Sequence, residues 1–344
     1  MPVCPYYCVM FGSKQSLPAQ SSVIAPGPLL RAAREHYTIE RGATCELARH
    51  SVNDTYVVTA PGQRFALRVY RHDWRRQDEI QWELSLLEHL DSEGAPVAAP
   101  LRTHAGNRFA IVAAPEGPRP VALFRFAAGK ECLGDAMTAP HARAYGRALA
   151  AVHLRMDTFE PAFDRFELDL DHLLLEPIAA LEPHLTERPQ DLTYLRRLAE
   201  DIREAVVEFG DRGLAWGLCH GDATGANANL DQRGEFTFFD FDCAGPGWRT
   251  YDIATFRWGM LRACDRAKAD ENFEAFLEGY REVRGLPRVD EEAVPPFVAA
   301  REIWLMGLQA GLTADQGYAV LNDAYFDKAI NFLHDWYKEM LAYS

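Results

Sequence analysis

Hydrophobic and polar residues alternate along residues 45–70, CELARHSVNDTYVVTAPGQRFALRVY. A period of two is typical of half-buried strands, and turn sequences at 51–54 and 60–63 divide the stretch. We therefore expect three short antiparallel strands. Two further strand patterns at 107–114 and 121–126 complete a predicted five-stranded sheet.

Helical periodicity appears first at residues 77–92, between the third and fourth predicted strands, and it dominates the chain after residue 139. One hairpin, at 226–241, interrupts the later helices. These helices are predicted at 140–156, 170–183, 190–212, 249–264, 269–283, 291–312 and 324–342. A β-rich beginning joined to a helical remainder predicts an α+β fold with two lobes.

Length and composition agree with two packed lobes. The 344 residues are 48% hydrophobic and 25% charged, which are ordinary values for a globular protein. We expect a flexible tail at 1–27, which is rich in Ser and Pro, a first lobe at 28–126 and a helical lobe at 127–344.

Charge and hydrophobicity indicate which partners to expect, and cysteine usage indicates the redox compartment. The chain has 36 basic and 50 acidic side chains, a formal charge of −14. Nucleic-acid binding needs a basic surface, so we expect no nucleic-acid partner, whereas an acid excess is compatible with a cationic substrate. No apolar run is long enough to span a bilayer, so we expect no membrane partner. Seven scattered cysteines favour a reducing cytoplasm over a disulfide framework.

The chemistry is concentrated in residues 218–256, which contain His220-Gly221-Asp222, then Asn227 and Asp240. Phosphoryl transfer from ATP needs a carboxylate at the attacking hydroxyl and oxygen ligands that hold Mg²⁺ on the phosphates. Asp222 is a candidate for the first role, and Asn227 and Asp240 are candidates for the second. Each element alone is common, but their occurrence together in this order is informative.

The predicted hairpin provides a geometry for the metal ligands. If residues 231–234 form its loop, Asn227 faces Phe238. Asp240 lies two residues further on and would point to the same face, because side chains alternate along a strand. Asn227 and Asp240 would then be diagonal neighbours.

This segment resembles the HxDxxxxN motif, followed by a hydrophobic strand ending in Asp, of the aminoglycoside phosphotransferase and choline kinase superfamily. The resemblance implies a protein-kinase-like fold, with ATP as donor and Mg²⁺ as cofactor. It implies that Asp222 is the catalytic base, that Asn227 and Asp240 bind Mg²⁺, and that His220 is a structural residue of the catalytic loop. It also implies that Asp252 is a buried support for that loop.

The resemblance extends to the first lobe and implies that this lobe binds the nucleotide. Asn53 matches the turn that covers the ATP phosphates in the homoserine-kinase-like branch. Arg68 stands where the family usually has a strand Lys, and Glu83 is its expected helix partner. The backbone from Arg125 to Ala127 matches the hinge that hydrogen-bonds adenine.

The sequence does not identify the molecule that accepts the phosphoryl group. Trp248, Trp258 and Trp304 are candidates for a pocket around an ammonium group, and Asp242 is a secondary candidate for metal or substrate contact. We expect a small-molecule kinase that acts on an amino alcohol, a hydroxy amino acid or an aminoglycoside-like compound. The alternatives are a Ser/Thr protein kinase of the bacterial stress-response type and an inactive nucleotide-binding scaffold.

Overall fold

The computed structural model describes residues 18–340, so residues 1–17, which form most of the predicted tail, lie outside the described residues. The first lobe is a sheet with two helices. Its elements are α1 (Pro26–His36), β1 (Thr44–His50), β2 (Asp54–Ala60), β3 (Gln63–Val69), α2 (Gln77–Ser92), β4 (Pro100–Leu101), β5 (Ala110–Ala114) and β6 (Gly117–Arg125).

The sheet is antiparallel and has the order β1-β2-β3-β6-β4, with β5 also paired to β6. It therefore has six strands and not the predicted five, because β4 adds a two-residue segment that is too short to show alternation. Helix α1 has no counterpart among the predicted elements. Leu29, Leu30 and Ala33 of α1 are buried in a small hydrophobic cluster with residues of β2 and β3.

Helix α2 has the predicted bounds, and Ile80, Leu84, Leu87 and Leu90 are all buried. These side chains belong to the large hydrophobic cluster of the helical lobe. This packing holds α2 at the junction of the two lobes, where its side chains can reach the space between them.

The second lobe is mainly helical, as predicted. Its elements are β7 (Lys130–Glu131), α3 (Ala139–Met156), α4 (Glu176–Leu181), α5 (Pro189–Asp211), β8 (Trp216–Cys219), β9 (Ala228–Leu230), β10 (Phe236–Phe238), β11 (Gly245–Trp248), α6 (Arg249–Ala263), α7 (Arg266–Val283), α8 (Arg288–Glu292), α9 (Val294–Gly311), α10 (Thr313–Gln316) and α11 (Asp323–Met340).

Two predicted helices are divided. The segment predicted at 170–183 starts with a wide turn at Asp171–Leu175 and continues as α4. The segment predicted at 291–312 breaks at Ala293 into α8 and α9. Two consecutive prolines follow this break in the first turn of α9, where the missing N–H groups cost nothing.

The predicted hairpin belongs to a three-stranded sheet, and a second small sheet has two strands. Strand β7 pairs with β9, and β8 pairs with β11, so the hairpin is not the only β-structure of this lobe. Strands of two to four residues leave no readable period in the sequence. Within residues 18–340, no helix is both long enough and apolar enough to cross a bilayer.

The hairpin register differs from the predicted one. Phe238 pairs with Ala228, and not with Asn227, because the loop contains residues 231–235. Gly234 adopts a positive φ of 82°, and the Asp231 carboxylate accepts the N–H groups of two loop residues. A turn closed by a left-handed glycine lengthens the loop by one residue, and a one-residue shift reverses which face each side chain occupies.

Candidate active site

A cleft of about 830 Å³ lies between the sheet of the first lobe and the helical lobe. All the predicted site residues line it, except His220, which is buried beneath it. The lining set is Asn53, Arg68, Glu83, Arg125, Ala127, Asp222, Asn227 and Asp240.

The loop after β8 is supported by Asp252 at the start of α6. The backbone N–H of His220 donates to Asp252 Oδ2 at 2.6 Å, and that of Gly221 donates to Oδ1 at 2.8 Å. Gly221 has a φ of 78°, and a Cβ at this position would lie 2.0 Å from the carbonyl oxygen of Cys243. Only glycine therefore fits this turn. The two backbone hydrogen bonds to Asp252 agree with its implied role as a support for the loop.

His153 of α3 completes the support. Its Nε2–H donates to Asp252 Oδ2 at 2.8 Å, and its Nδ1 accepts from the hydroxyl of Tyr280 at 2.8 Å. Burial lowers the pKa of His153, which favours the neutral ring. Burial would raise the pKa of Asp252, but the hydrogen bond from His153 and the backbone donors lower it.

His220 links two segments of the site. Its Nε2–H donates to the carbonyl of Phe239 at 3.1 Å, and its Nδ1 accepts the backbone N–H of Asp222 at 3.3 Å. Both ring nitrogens are therefore engaged with backbone, and the ring is fully buried. His220 lies beneath the cleft and between the segments that carry Asp222 and Asp240.

Both oxygens of the Asp222 carboxylate are held. Asn227 Nδ2 donates to Oδ2 at 2.7 Å and also to the Asp222 carbonyl at 2.9 Å. Arg301 of α9 donates from Nη2 to Oδ1 at 2.5 Å. The side chain of Asp222 is still 26% exposed, so it remains accessible from the cleft. The contact with Arg301 links residues 79 positions apart, and the sequence contains no local signal for it.

Asp240 lies opposite, at the end of the segment after β10. It adopts a left-handed conformation with φ 66° and ψ 60°, so it has left the strand geometry. Asn227 lies in a short helical turn and not in a strand. The prediction that both residues share one strand face was therefore wrong. They line the same cleft because both backbones turn out of the hairpin.

Arg68 joins Asp240 to helix α2. Its Nη2 donates to Asp240 Oδ1 at 2.9 Å, and its Nη1 donates to Glu83 Oε1 at 2.8 Å, so the predicted pairing with Glu83 is confirmed. The hydroxyl of Tyr70 donates to the second oxygen of Glu83 at 3.0 Å. Burial raises the pKa of Glu83 to about 7, although the Arg68 guanidinium opposes this rise.

Asp242 lines the cleft, but its side chain is almost fully buried. It lies in a turn and not on a strand, and its carboxylate accepts Trp74 Nε1 at 2.9 Å and Arg75 Nε at 3.4 Å. Arg165 donates to the Asp242 carbonyl at 2.5 Å. Burial would raise the pKa of Asp242, but Arg75 and Arg165 lower it to about 2. These contacts tie the segment after Asp240 to the first lobe.

The backbone at residues 125–127 lines one end of the cleft. The N–H of Arg125 is bonded to the carbonyl of Ala99, and the carbonyl of Ala127 accepts Asn229 Nδ2 at 2.8 Å. Within residues 18–340, the N–H of Ala127 has no hydrogen-bond partner. Asn53 shapes the covering turn through Oδ1, which accepts the backbone N–H of Arg71 at 3.0 Å.

The tryptophans divide into two groups. Trp258 and Trp304 line the cleft, and the guanidinium of Arg301 lies over both rings, 5.3 and 4.7 Å from their centroids. Trp248 is outside the cleft lining and packs edge-on against Trp216, so the predicted group of three is wrong for Trp248. The cation over these rings belongs to the protein.

The comparisons with known proteins agree with this architecture. Residues 44–290 match the model of the phosphotransferase enzyme family. The chain belongs to this family. An uncharacterized protein of Deinococcus radiodurans is 40% identical over 325 residues, which are 94% of this chain and 93% of the relative. The homoserine kinase of Phenylobacterium zucineum is 28% identical over 250 residues, 71% of this chain and 72% of that enzyme.

Solved structures of kinases are similar in fold to this chain. The microcompartment-associated aminopropanol kinase has a TM-score of 0.72 and 25% identity, covering 90% of this chain and 95% of its own. An amicoumacin kinase complex has a TM-score of 0.70, covering 91% and 92%, and at 18% identity it shows the fold alone. The predicted α+β kinase-like fold and the assignment as a kinase-type phosphotransferase are confirmed.

The donor atoms that a phosphotransferase needs for a metal are present. Asn227 commits its amide nitrogen to Asp222, and Asp240 commits one carboxylate oxygen to Arg68, so each has a further oxygen for a ligand. Mg²⁺ prefers oxygen donors and is usually bound by one or two protein groups together with substrate phosphates. The side chains therefore fit this ion.

Proposed function

We propose that the chain is a Mg²⁺-dependent kinase that transfers the γ-phosphoryl group of ATP to a hydroxyl of a small molecule. The acceptor is an amino alcohol, a hydroxy amino acid or an aminoglycoside-like compound. The observation that carries the proposal is the meeting of Asp222, Asn227 and Asp240 in one cleft, with Asn227 hydrogen-bonded to Asp222.

Adenine would bind at the hinge. The unpartnered N–H of Ala127 is a donor for the ring, and the apolar walls include Val57, Ala66 and Phe124. Such backbone recognition positions the base and directs the phosphates toward Asp240 and the turn at Asn53. The turn would contact the phosphates through backbone N–H groups, since Asn53 Oδ1 is engaged with Arg71.

Asn227 and Asp240 would hold Mg²⁺, which supplies positive charge at the phosphate oxygens. Arg68 orients the Asp240 carboxylate through one oxygen and is itself held by Glu83. A buried arginine that bridges two carboxylates has little freedom to move, so the position of Asp240 is set before the nucleotide binds.

Asp222 would orient the acceptor hydroxyl and accept its proton as the oxygen attacks the γ-phosphorus, while the bond from this phosphorus to the bridging oxygen breaks and ADP leaves. A carboxylate has lone pairs for about four hydrogen bonds, so Asp222 can bind the hydroxyl while it keeps Asn227 and Arg301. The hydroxyl is thereby held in line for attack, which is the main contribution of a protein to this reaction.

The experiment is Mg²⁺-dependent transfer of labelled phosphate from ATP across a panel of acceptors. The panel holds aminoglycosides, choline, ethanolamine, aminopropanol, homoserine, hydroxylysine and a generic protein substrate. We expect one small molecule to raise ATP turnover well above basal hydrolysis and to carry the label. Label on the protein substrate or on the enzyme itself, with no labelled small molecule, would contradict the proposal and favour a protein kinase.

A further inference from the structure

The wall of the cleft beside Asp222 is formed by α6 and α9. Within the described part of the chain, these helices contribute a single charged side chain to the lining, that of Arg301. Its neighbours on this wall are mostly apolar: Trp258, Met260, Trp304, Leu305 and Leu308. An acceptor whose hydroxyl reaches Asp222 must contact this wall.

Among residues 18–340, the wall offers no free carboxylate to an ammonium group. The chain has an excess of acidic residues, but among the described residues this excess leaves no unpaired carboxylate in the cleft to bind an ammonium group. Each carboxylate that lines the cleft is already paired with an arginine. Glu83 and Asp240 pair with Arg68, Glu131 with Arg49, Asp222 with Arg301, and Asp242 with Arg75. An ammonium group beside Asp222 would face the like charge of Arg301.

Arg301 has unused hydrogen-bonding capacity. The residue is only 3% exposed, and its planar group is fixed over the rings of Trp258 and Trp304. A guanidinium carries five N–H donors. Nη2 donates to Asp222, Nη1 lies at a long 3.5 Å from the hydroxyl of Tyr251, and Nε has no partner within residues 18–340.

We propose that the acceptor is a hydroxy acid whose carboxylate binds Arg301 while its hydroxyl binds Asp222. This inference rests on the proposed function and narrows its acceptor. The short contact between Arg301 and Asp222 requires the hydroxyl and the carboxylate to be separated by only a few bonds. A single guanidinium among apolar groups suits one negative charge, whereas a phosphate dianion would need further cations. A hydroxy amino acid satisfies these conditions when its ammonium group points away from Arg301 into the open cleft, whereas an amino alcohol has no carboxylate for Arg301.

Matched acceptors isolate the carboxylate. Serine and ethanolamine, threonine and 1-amino-2-propanol, and homoserine and 3-amino-1-propanol each differ by that group alone. Calorimetry measures their binding to the full chain with Mg²⁺ and a non-hydrolysable ATP analogue, and transfer assays measure kcat/KM. We expect the carboxylate member of at least one pair to be preferred by roughly 10- to 100-fold, as for a charge-assisted hydrogen bond. Glycerol 3-phosphate is the phosphate probe.

Variants assign the preference to Arg301. Arg301→Gln removes the charge, and because Arg301 also contacts Asp222, it lowers activity toward every acceptor. The ratio within a pair cancels this common loss, and we expect it to fall to about one. Arg262→Gln is the matched control, since Arg262 of α6 lies outside the cleft lining and is 3.8 Å from Glu302 of α9. Arg301→Lys retains the positive charge and should retain part of the preference for the carboxylate member of each pair. This variant provides the test if Arg301→Gln does not fold.

Several outcomes would overturn the inference. These are equal or tighter binding of the decarboxylated amines, a preference for glycerol 3-phosphate, a ratio that survives in Arg301→Gln, or no binding by any hydroxy acid. Phosphate transfer to amines alone would reject the hydroxy acid and leave the phosphotransferase function intact. Binding of hydroxy acids without any transfer would instead support the site while rejecting the proposed reaction.

Discussion

Asn227 donates from one amide nitrogen to both the carbonyl and the carboxylate of Asp222, at 2.9 and 2.7 Å. The two residues are five positions apart, so the short helical turn at Gly225–Asn227 brings the amide back over the loop. This contact fixes the carboxylate orientation and leaves the amide oxygen for another ligand. One side chain thereby connects the proposed base with the proposed metal site.

The first prediction concerns Asp222→Asn. The amide cannot accept a proton, so we expect turnover to fall by about 10²–10⁴-fold, the usual contribution of a general base. MgATP affinity should stay unchanged, because Asp222 serves the acceptor and not the nucleotide. Transfer assays and calorimetry on the same preparations check both. Asp335→Asn is the control, since that side chain is 81% exposed on α11. Turnover above a hundredth of the unmodified protein would rule out this role.

Asp240→Ala should weaken Mg²⁺-dependent nucleotide binding by about tenfold or more, equivalent to ~1.4 kcal/mol. The change removes a proposed metal ligand and leaves Arg68 with Glu83 as its only carboxylate partner in this cluster. Calorimetric titration with ATP, once in Mg²⁺ and once in EDTA, separates the metal-dependent part. An affinity for MgATP equal to that of the unmodified protein would contradict the assignment.

Asp252→Asn should destabilise the fold by about 3 kcal/mol. The carboxylate accepts from two backbone N–H groups and from His153, and an amide NH₂ would turn a donor toward other donors. Urea unfolding measures the free energy of unfolding. Asp335→Asn, which changes a surface carboxylate that forms an ion pair with Lys338, should change it by less than about 1 kcal/mol. Equal effects of the two substitutions would show that Asp252 is not a structural anchor.

The lowered pKa of Asp242 predicts that the stability of the fold depends on pH. Its pKa lies at about 2 in the folded chain against an ordinary 3.8, so the unfolded state binds the proton more tightly. The ionised form therefore stabilises the fold above about pH 4, by roughly 2 kcal/mol, and this contribution is lost as the pH falls toward 2.

Unfolding measured between pH 7 and pH 3 tests this contribution. Asp242→Asn should be less stable than the unmodified protein at pH 7, and the difference should shrink below pH 4. If the difference in the free energy of unfolding stayed constant across this range, the stabilising role of Arg75 and Arg165 at Asp242 would be contradicted.

Several features of the fold follow from local sequence. Helix α2 could be predicted with its bounds because one face repeats apolar residues at helical spacing and a glycine follows its end. The first three strands could be predicted from alternation and two turns. The HxDxxxxN motif was recognisable because it places Asp222, Asn227 and Asp240 in a characteristic order.

The arrangement of the site depended on tertiary structure. The register of the hairpin was set by Asp231 and Gly234 in the loop, and Asn227 lies in a helical turn before β9 and not on the predicted strand face. The left-handed backbone at Asp240 is equally invisible in the sequence, since a non-glycine residue adopts it only when its surroundings hold it there.

Sequence alone determined the identity of the chemical groups and their order along the chain, because propensity, periodicity and motif spacing are local properties. Tertiary structure decided which charges meet. Arg301 reaches Asp222 because α9 packs against α6, and Asp242 reaches Arg75 across the junction of the lobes. Such pairs join residues far apart in the chain, so their energies depend on packing geometry that no local pattern encodes.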